Sequence, residues 1–373
     1  MINIFQPKTC PESIENIKNI FKSNWLGRGD YVTSFENELC DFMNLKKENF
    51  STNASCTDSI FGIFELLELE KGSEVIVPSI SFPAVASAIL KNNLTPIIVD
   101  IDIESGNISI EELVKHVTNK TKAIFITHYG GVPVNIKKIR ELIPEGIYIL
   151  EDAACALGTF KNNVSIGSDS DFACWSFDAM KLLTCGEGGA YYSRNPELCN
   201  KLKSYFYLGL KPSEKSGLDK MKNSGRWWEY ELDIPGRRSM FTNINAGIGL
   251  PQIKKLDTRL KERELIRTKY INICNENGIK YIKQNETQVT YSNYFFTIFS
   301  EERDKLALYL KNKGVYTTLR YYPLHKINIF KDYSSKCPNA EKFSETALNI
   351  PIHNGLSDSD VEKICQELKN YFN

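Results

Sequence analysis

The sequence has no excess of charge of either sign, because 46 lysines and arginines balance 46 aspartates and glutamates over 373 residues. A net charge near zero argues against nucleic acid or an anionic membrane surface as the main partner. No apolar run approaches the roughly 18 residues that a membrane span requires. The first residues lack a charged segment followed by an apolar one, so no secretory signal is expected. We therefore expect a cytoplasmic protein with no nucleic-acid or membrane partner.

Cysteine pairs with metal-ligand spacing are also missing. The ten cysteines are scattered, none of them forms a C-x-x-C pair, and the four histidines do not cluster with them. In a long chain without a secretory signal, such cysteines are expected to be reduced thiols that lie mostly in the core. We therefore predict no metal site.

Alternating strands and helices are predicted from residue 74 onward. Apolar segments at 74–78, 94–102, 123–131, 147–152 and 171–175 are separated by helical stretches at 84–91, 109–117 and 137–142. This pattern predicts an α/β fold with a mostly parallel sheet between helices. Ligands in such sheets bind beyond the C-terminal ends of the strands. The residues at or just after these ends are Phe82, His128, Asp152 and Ser176.

The chain is long enough for two domains, since single cores stop growing at roughly 250–300 residues. Further helices are predicted at 11–23, 31–43, 60–69 and 246–264, the last continuing with breaks to about residue 275. After residue 278 short strands within 291–300 alternate with helices at 304–313 and 358–372. We place a large domain at 1–250 and a smaller α/β domain at 251–373. Residues 211–223 are rich in lysine, serine and glycine and predict a mobile loop, either one that orders over a ligand or a solvated segment.

The stretch from Ser176 to Ala190 combines a hydroxyl, Lys181 and a Gly-Glu-Gly-Gly turn behind a buried strand. A lysine that forms a Schiff base must be partly desolvated, so that its amine is neutral and nucleophilic part of the time. On this stretch alone, a solvated lysine in a turn explains the pattern equally well.

The other candidate residues favour the Schiff-base interpretation of Lys181. Pyridoxal 5′-phosphate (PLP) needs an amine for its aldehyde, an anion for its pyridine nitrogen, an aromatic face for its ring, and hydroxyls with a helix N-terminus for its phosphate. Each residue alone has an ordinary explanation, such as a helix cap for Asp152 or a core position for Phe82. Together they supply the whole set: Thr57, Phe82, Asp152, Ser176 and Lys181.

Motifs along almost the entire chain resemble those of the DegT/DnrJ/EryC1/StrS sugar aminotransferases, which are fold-type I PLP enzymes. The most specific is Ser176-Phe-x-x-x-Lys181-x-x-Thr-x-Gly-Glu-Gly-Gly, which resembles the Schiff-base signature. The remaining matches are at residues 24–36, 56–59, 78–82, 151–158, 244–252, 322–325 and 349–352.

The resemblance implies an aspartate aminotransferase-like fold with a seven-stranded sheet, and a homodimer with active sites at the subunit interface. It implies that Thr57, Asp58 and Ser176 hold the phosphate and that Phe82 stacks on the ring. It further implies that Asp152 pairs with the pyridine nitrogen. Lys181 then forms the Schiff base and carries protons.

Two positions depart from the family pattern. Cys155 stands where the family often has Gln or His near the ring hydroxyl, and a thiol is a weak donor, so another group or water can serve there. Arg238 stands where the family often has an Asn that reaches the neighbouring subunit's phosphate. A guanidinium can bind phosphate bidentately, or the match shifts by one residue. Three further residues are candidate substrate contacts: Glu187, Tyr322 and His325.

The resemblance implies transfer of an amino group from L-glutamate, through the pyridoxamine 5′-phosphate (PMP) form, to a nucleotide-linked keto deoxysugar. We favour amination at C4 over C3, and a role in surface polysaccharide such as O-antigen or in other glycoconjugates. One alternative is the dehydratase branch of the family, which has His where Lys181 stands. The other is a PLP-binding regulatory protein without turnover.

Overall fold

The computed structural model describes residues 1–210, 228–284 and 286–373. The predicted loop at 211–223 lies outside these ranges. The helices are α1 (Pro11–Ser23), α2 (Asp30–Met43), α3 (Cys56–Leu66), α4 (Ala84–Lys91), α5 (Ile110–Lys115), α6 (Ile136–Leu142), α7 (Pro196–Tyr205), α8 (Asn243–Ile253), α9 (Leu256–Glu276), α10 (Arg303–Asn312), α11 (Pro338–Thr346) and α12 (Asp358–Phe372). The strands are β1 (Phe50–Asn53), β2 (Glu74–Pro78), β3 (Thr95–Val99), β4 (Thr121–Thr127), β5 (Tyr148–Asp152), β6 (Phe160–Lys161), β7 (Val164–Ser165), β8 (Phe172–Ser176), β9 (Gly189–Ser193), β10 (Lys280–Tyr281), β11 (Val289–Thr290), β12 (Phe296–Phe299) and β13 (Ala347–Ile350).

The largest sheet has seven strands in the order β1-β9-β8-β5-β4-β2-β3. The pairs β2–β3, β2–β4, β4–β5 and β5–β8 are parallel. Strand β9 pairs antiparallel with both β8 and β1, so it alone in this sheet runs against the common direction. The sheet is therefore mostly parallel, as the sequence predicts, and the C-terminal ends of β2, β4, β5 and β8 lie along the same edge.

Helices cover both faces of this sheet, because alternate side chains of its strands point to opposite faces. In β8, Phe172 and Cys174 join a core cluster with Ile60 of α3, whereas Ala173 and Trp175 join the cluster on the other face. Every residue of β8 is buried. The continuous apolar run in the sequence follows from this two-sided burial.

A second, three-stranded sheet, β10-β12-β13, belongs to the C-terminal part of the chain and is antiparallel. Its core includes apolar residues of α9, α10 and α12. The first residues of the chain join this part, since Ile2 forms a β-bridge with Val315 and His353 Nε2 lies 2.9 Å from the Asn3 carbonyl oxygen. The division at 250/251 stays a prediction.

Two predicted helices differ from the observed ones at their ends. Helix α3 begins at Cys56 rather than at residue 60, because Ser55 Oγ accepts the N–H of Asp58 and caps its first turn. The predicted helix at 246–264 is divided into α8 and α9. The break follows Pro251, which lacks an N–H for the helical ladder.

The state of the cysteines and the lengths of the helices can be compared with the expectations from the sequence. All cysteines are free thiols, and all but Cys365 are buried, which confirms the prediction of core cysteines. In the ranges that the structure covers, no helix is both long and apolar enough to cross a membrane.

Candidate active site

A cavity of about 270 Å³ lies at the C-terminal ends of the parallel strands, beside the start of α3. Its lining combines hydroxyls, acids, aromatic rings and two cations. The lining residues are Ser55, Cys56, Thr57, Ile60, Phe82, Asp152, Ala154, Ser176, Asp178, Met180, Lys181, Glu187, Tyr294, Phe295, Arg320 and Tyr321. Six of the residues singled out from the sequence are therefore brought together here: Thr57, Phe82, Asp152, Ser176, Lys181 and Glu187.

Lys181 follows β8 in a tight turn. Its N–H donates to the Asp178 carbonyl at 3.0 Å, and the Asp178 N–H donates to Ser176 Oγ at 3.3 Å. This turn directs Lys181 Nζ to within 3.7 Å of Cys155 Sγ and 4.7 Å of the centre of the Tyr294 ring. The amine thus lies inside the cavity rather than in bulk water.

Asp152 ends β5 and is buried. Its Oδ1 accepts the Ala154 N–H at 2.9 Å, while its Oδ2 has no hydrogen-bond partner among the residues that the structure describes. Burial raises the pKa of Asp152, against the lowering effects of the Ala154 N–H and the Lys181 charge. A positively charged group bound in the cavity would favour the ionised carboxylate.

The pKa of Lys181 moves in the direction opposite to the one that a neutral amine requires. Burial by itself lowers this pKa, but negative charge on the neighbouring Cys155 thiol, Tyr294 phenol and Asp152 carboxylate raises it more, so the net direction is upward. Burial also raises the pKa of Cys155 and Tyr294.

The start of α3 supplies hydroxyls and N–H groups to one end of the cavity. The first turn of a helix leaves its N–H groups without intrahelical partners, and it carries the positive end of the helix dipole. Ser55 Oγ takes the N–H of Asp58. Thr57 is exposed, and the Ser176 hydroxyl reaches the same cavity from β8. This end of the cavity suits an anion such as a phosphate.

Asp58 does not line the cavity. Its carboxylate accepts hydrogen bonds from Ser55 Oγ at 3.1 Å and Ser239 Oγ at 2.7 Å, and it forms an ion pair with Arg237. The carboxylate therefore ties residues 237–239 to the start of α3.

Phe82 lies in the loop after β2 and is 43% exposed. Its ring packs edge-on against Tyr321, with the ring centres 5.9 Å apart. An aromatic ring that lines a cavity and keeps this much exposure can stack on a planar ligand.

Cys155 is buried behind Lys181, and its Sγ also lies 3.9 Å from the Tyr321 hydroxyl. Tyr321 itself lines the cavity. A phenol is a stronger hydrogen-bond donor than a thiol. Tyr321 is therefore better suited than Cys155 to bond a hydroxyl of a planar ligand held between Phe82 and Asp152.

Besides Asp58 and Cys155, three more sequence candidates lie outside the cavity lining. Arg238 is exposed, with its guanidinium 5.9 Å from the centre of the Tyr207 ring. Tyr322 is 58% exposed. His325 Nδ1 lies 2.6 Å from Ser79 Oγ, and its Nε2 lies 3.2 Å from a Glu341 carboxylate oxygen, so both ring nitrogens have partners within the chain.

Sequence reasoning missed four cavity residues from the C-terminal part of the chain: Tyr294, Phe295, Arg320 and Tyr321. Two of them directly precede the motif at 322–325. The signal was therefore present, but the motif drew attention to Tyr322 and His325 instead. The motif alone does not tell which of these neighbouring side chains face the cavity, because that depends on contacts with distant segments.

The glycine-rich turn packs so closely against its neighbours that Gly188 and Gly189 have no room for a side chain. A Cβ at Gly189 would clash with the backbone of Ser55 and Cys56, and one at Gly188 would meet the Phe241 ring at 2.6 Å. Gly186 has a φ of 79°, in the left-handed region. The turn thus lets β9 approach the start of α3, and between these glycines Glu187 reaches the cavity.

Two thiols lie under the cavity. Cys56 Sγ is 3.4 Å from Cys174 Sγ, and one ligand atom from each of Cys56, Cys174 and Asp152 lies within 4.8 Å of the others. Burial raises the pKa of Cys174 well above its ordinary value. Cys174 is therefore an uncharged thiol at neutral pH, which makes it a poor metal ligand.

Solved structures of high similarity cover nearly the whole chain. The aminotransferase TlmJ from Streptoalloteichus hindustanus superposes with a TM-score of 0.92 at 33% identity, covering 99% of this chain and 98% of that one. The PMP form of the putative sugar aminotransferase Spr1654 from Streptococcus pneumoniae superposes with a TM-score of 0.90 at 25% identity, covering 99% and 98% of the two chains. With the seven-stranded sheet, these likenesses confirm the predicted fold class.

Sequence comparison agrees with the structural likeness. Over 99% of its length the chain is 33% identical to the dTDP-4-dehydro-2,3,6-trideoxy-D-glucose 4-aminotransferase of Saccharopolyspora spinosa, of which it covers 96%. The model of the DegT/DnrJ/EryC1/StrS aminotransferase family matches residues 7–369. The chain therefore belongs to the DegT/DnrJ/EryC1/StrS aminotransferase family.

Proposed function

We propose that this sugar aminotransferase uses PLP to move an amino group from L-glutamate to a keto group of a nucleotide-linked deoxysugar, at C4 rather than C3. One observation carries the proposal: the amine of Lys181 and the buried carboxylate of Asp152 line one cavity beside the N-terminus of α3. The 4-aminotransferase activity in the name of the Saccharopolyspora relative supports C4. The PMP form of the pneumococcal structure supports the cofactor.

The residues present fit PLP at each of its functional groups. The Asp152 oxygen without a described partner would accept the pyridine N–H, and Phe82 offers an exposed ring face. Thr57, Ser176 and the N–H groups at the start of α3 would hold the phosphate. The Asp58 carboxylate would repel a phosphate, so we limit its role to holding Arg237.

When bound, PLP supplies an electron sink for the electron pair left on a substrate carbon after proton loss. Lys181 is the residue placed to bond to its aldehyde carbon. With the cofactor and donor bound, Lys181 Nζ would be the base that takes the proton from the donor α-carbon. A positioned side chain that moves a proton in this way contributes roughly 100- to 10,000-fold to the rate.

The charge of Asp152 connects the state of Lys181 to cofactor binding. In the protein alone, Asp152 helps to raise the pKa of Lys181. A protonated pyridine nitrogen would pair with this carboxylate and neutralise it. The pKa of Lys181 would then fall, because its burial remains while the nearby negative charge is offset. The pairing of Asp152 with the pyridine nitrogen would therefore favour the neutral, basic form of Lys181.

The second subunit completes the proposal. We propose a homodimer in which Arg238 reaches the phosphate site of the neighbouring subunit. Arg237 is held by Asp58 of its own chain, whereas Arg238 is exposed, and its guanidinium has no carboxylate within 4.0 Å among the residues described. Of the two arginines, Arg238 is therefore the one free to bind a phosphate in trans.

The most informative experiment follows the cofactor's absorbance. The PMP form is mixed with candidate nucleotide keto sugars, and recovery of the visible band of the lysine-bound cofactor identifies the acceptor. Product analysis then gives the aminated carbon. If the sugar loses a hydroxyl and glutamate is not consumed, the dehydratase alternative is correct. If neither glutamate nor any keto sugar changes the spectrum, the regulatory alternative is favoured and our proposal is wrong.

A further inference from the structure

Arg320 is held rigidly at the cavity by its backbone and by an aromatic ring. Its N–H donates to Oδ1 of the buried Asn349 at 2.8 Å. Its guanidinium carbon lies 5.2 Å from the centre of the Phe5 ring, within the range of a cation–π contact. Its Nη2 lies 3.8 Å from Sδ of Met180, the residue that precedes Lys181. Arg320 therefore lines the same cavity as the Lys181 amine.

The guanidinium of Arg320 has no anionic partner in the part of the chain that the structure describes. No carboxylate there lies within 4.0 Å of it, and its hydrogen bonds go only to the Met180 sulfur. Four other arginines have acids beside them: Arg28 has Glu36, Arg140 has Asp171, Arg237 has Asp58 and Arg303 has Asp304. Arg320 differs from a solvated surface arginine, because it packs on the Phe5 ring and lines a cavity.

The charged residues that line the cavity indicate that the Arg320 guanidinium binds an anionic ligand. Among the described lining residues, Lys181 and Arg320 are the cations and Asp152, Asp178 and Glu187 are the acids. Under the proposed function, Lys181 is bonded to the cofactor and is therefore not available to pair with a substrate anion. Arg320 is then the one cation in this described lining that can attract an anionic substrate. Without it, the remaining acids would repel a dicarboxylate donor.

We propose that Arg320 binds the carboxylate carried by the reacting carbon of the amino donor, an inference that rests on the proposed function. That carboxylate is bonded directly to the carbon whose proton Lys181 takes, so its partner must lie close to Lys181. The diphosphate of a nucleotide sugar is separated from the keto carbon by the sugar ring and therefore lies farther away. The planar fork of a guanidinium matches a carboxylate bidentately.

The test measures the two half-reactions separately in the dimeric, cofactor-loaded protein. The variants are Arg320→Gln and Arg320→Lys, with Lys326→Gln as a control, since Lys326 lies 3.8 Å from Glu341 and outside the cavity lining. Loss of the cofactor's visible band is followed against L-glutamate concentration. Its recovery from the PMP form is followed against keto sugar concentration.

Arg320→Gln is expected to weaken glutamate binding roughly 10- to 150-fold, the range of a charge-assisted hydrogen bond. The band before donor addition and the keto-sugar half-reaction should change less than about threefold. Arg320→Lys should fall between the wild type and Arg320→Gln, because an ammonium keeps the charge but not the fork. The α-amide of glutamate should be a poor donor for the wild type and no poorer for Arg320→Gln.

Three results would overturn the assignment. If Arg320→Gln binds glutamate as tightly as the wild type does, Arg320 does not bind the donor's carboxylate. If the variant weakens only the keto-sugar half-reaction, the guanidinium serves the nucleotide sugar instead. If the wild type itself does not react with glutamate, the proposed function fails, and this inference fails with it. The cofactor band and the unfolding temperature of both Arg320 variants serve as folding controls. If both are unchanged, a loss of either half-reaction does not come from misfolding.

Discussion

The amine of Lys181 lies 4.7 Å from the centre of the Tyr294 ring. Lys181 comes from the turn after β8, whereas Tyr294 comes from the predicted small domain. The Tyr294 hydroxyl also donates to the Met180 carbonyl at 3.2 Å, so the aromatic ring is tied to the segment that carries the lysine. The C-terminal part of the chain thus forms one wall of the candidate active site.

Lys181→Ala is expected to abolish transamination, because the variant loses both the covalent bond to the cofactor and the proton carrier. We expect kcat to fall by roughly 100- to 10,000-fold or more, and the visible band of the lysine-bound cofactor to be absent. Steady-state kinetics and absorbance spectra measure both. Lys261→Ala, at an exposed position on α9, is the control and should behave as the wild type. Full turnover of Lys181→Ala with a keto sugar would refute the assignment.

Asp152→Asn is expected to keep the shape of the site but remove the charge that would pair with the pyridine nitrogen. Losing one partner of a buried charge pair costs about 2–5 kcal/mol, which corresponds to roughly 30-fold to several thousandfold in kcat/KM. Cofactor affinity should fall as well, as an absorbance titration would measure. The exposed Asp257→Asn is the matched control. Wild-type rates in Asp152→Asn would show that this carboxylate is not the cofactor's anion.

Gly189→Ala is expected to destabilise the fold and loosen the phosphate end of the cavity. The added Cβ would clash with backbone atoms of Ser55 and Cys56, which cannot rotate aside as a side chain would. Overpacking of this kind costs about 1–3 kcal/mol, to be measured by denaturant unfolding of the apoprotein. Gly27→Ala is the control, because a Cβ there meets nothing within 4 Å. Equal stability of the two variants would contradict the close approach of β9 to α3.

His353 is expected to make stability fall as the pH drops below 6.5. Burial lowers its pKa in the folded protein from the ordinary 6.5, against the raising effect of the Asn3 carbonyl. Above 6.5 both states hold the neutral ring. Below 6.5 the unfolded chain binds the proton first, so stability is lost until the pH reaches the lowered folded value.

Thermal unfolding of the wild type and His353→Gln between pH 7 and pH 5 measures this effect. One proton accounts for at most about 1.4 kcal/mol of stability per pH unit. The wild type should therefore lose more stability than His353→Gln on acidification. Parallel pH profiles for the two proteins would rule out His353 as the titrating group.

The sequence by itself determined the order of strands and helices and the residues at the strand ends. Parallel strands place their C-terminal ends at one edge of the sheet, so Asp152 and Ser176 had to lie near each other once the sheet was predicted. The turn after β8 is local, so its hydroxyl, lysine and glycines made Lys181 a candidate. The residues at the other strand ends were needed to favour a Schiff-base lysine over a solvated one.

Only the tertiary structure decided which residues of distant segments face the cavity. The backbone of residues 318–320 is fixed by hydrogen bonds to Asn349, and this contact directs Arg320 and Tyr321 into the cavity while Tyr322 stays exposed. Sequence spacing cannot fix such a pairing, because Asn349 is distant from residues 318–320 along the chain. For the same reason, the ion pair of Asp58 with Arg237 and the raised pKa of Lys181 were not predictable, because each depends on charges brought together by folding.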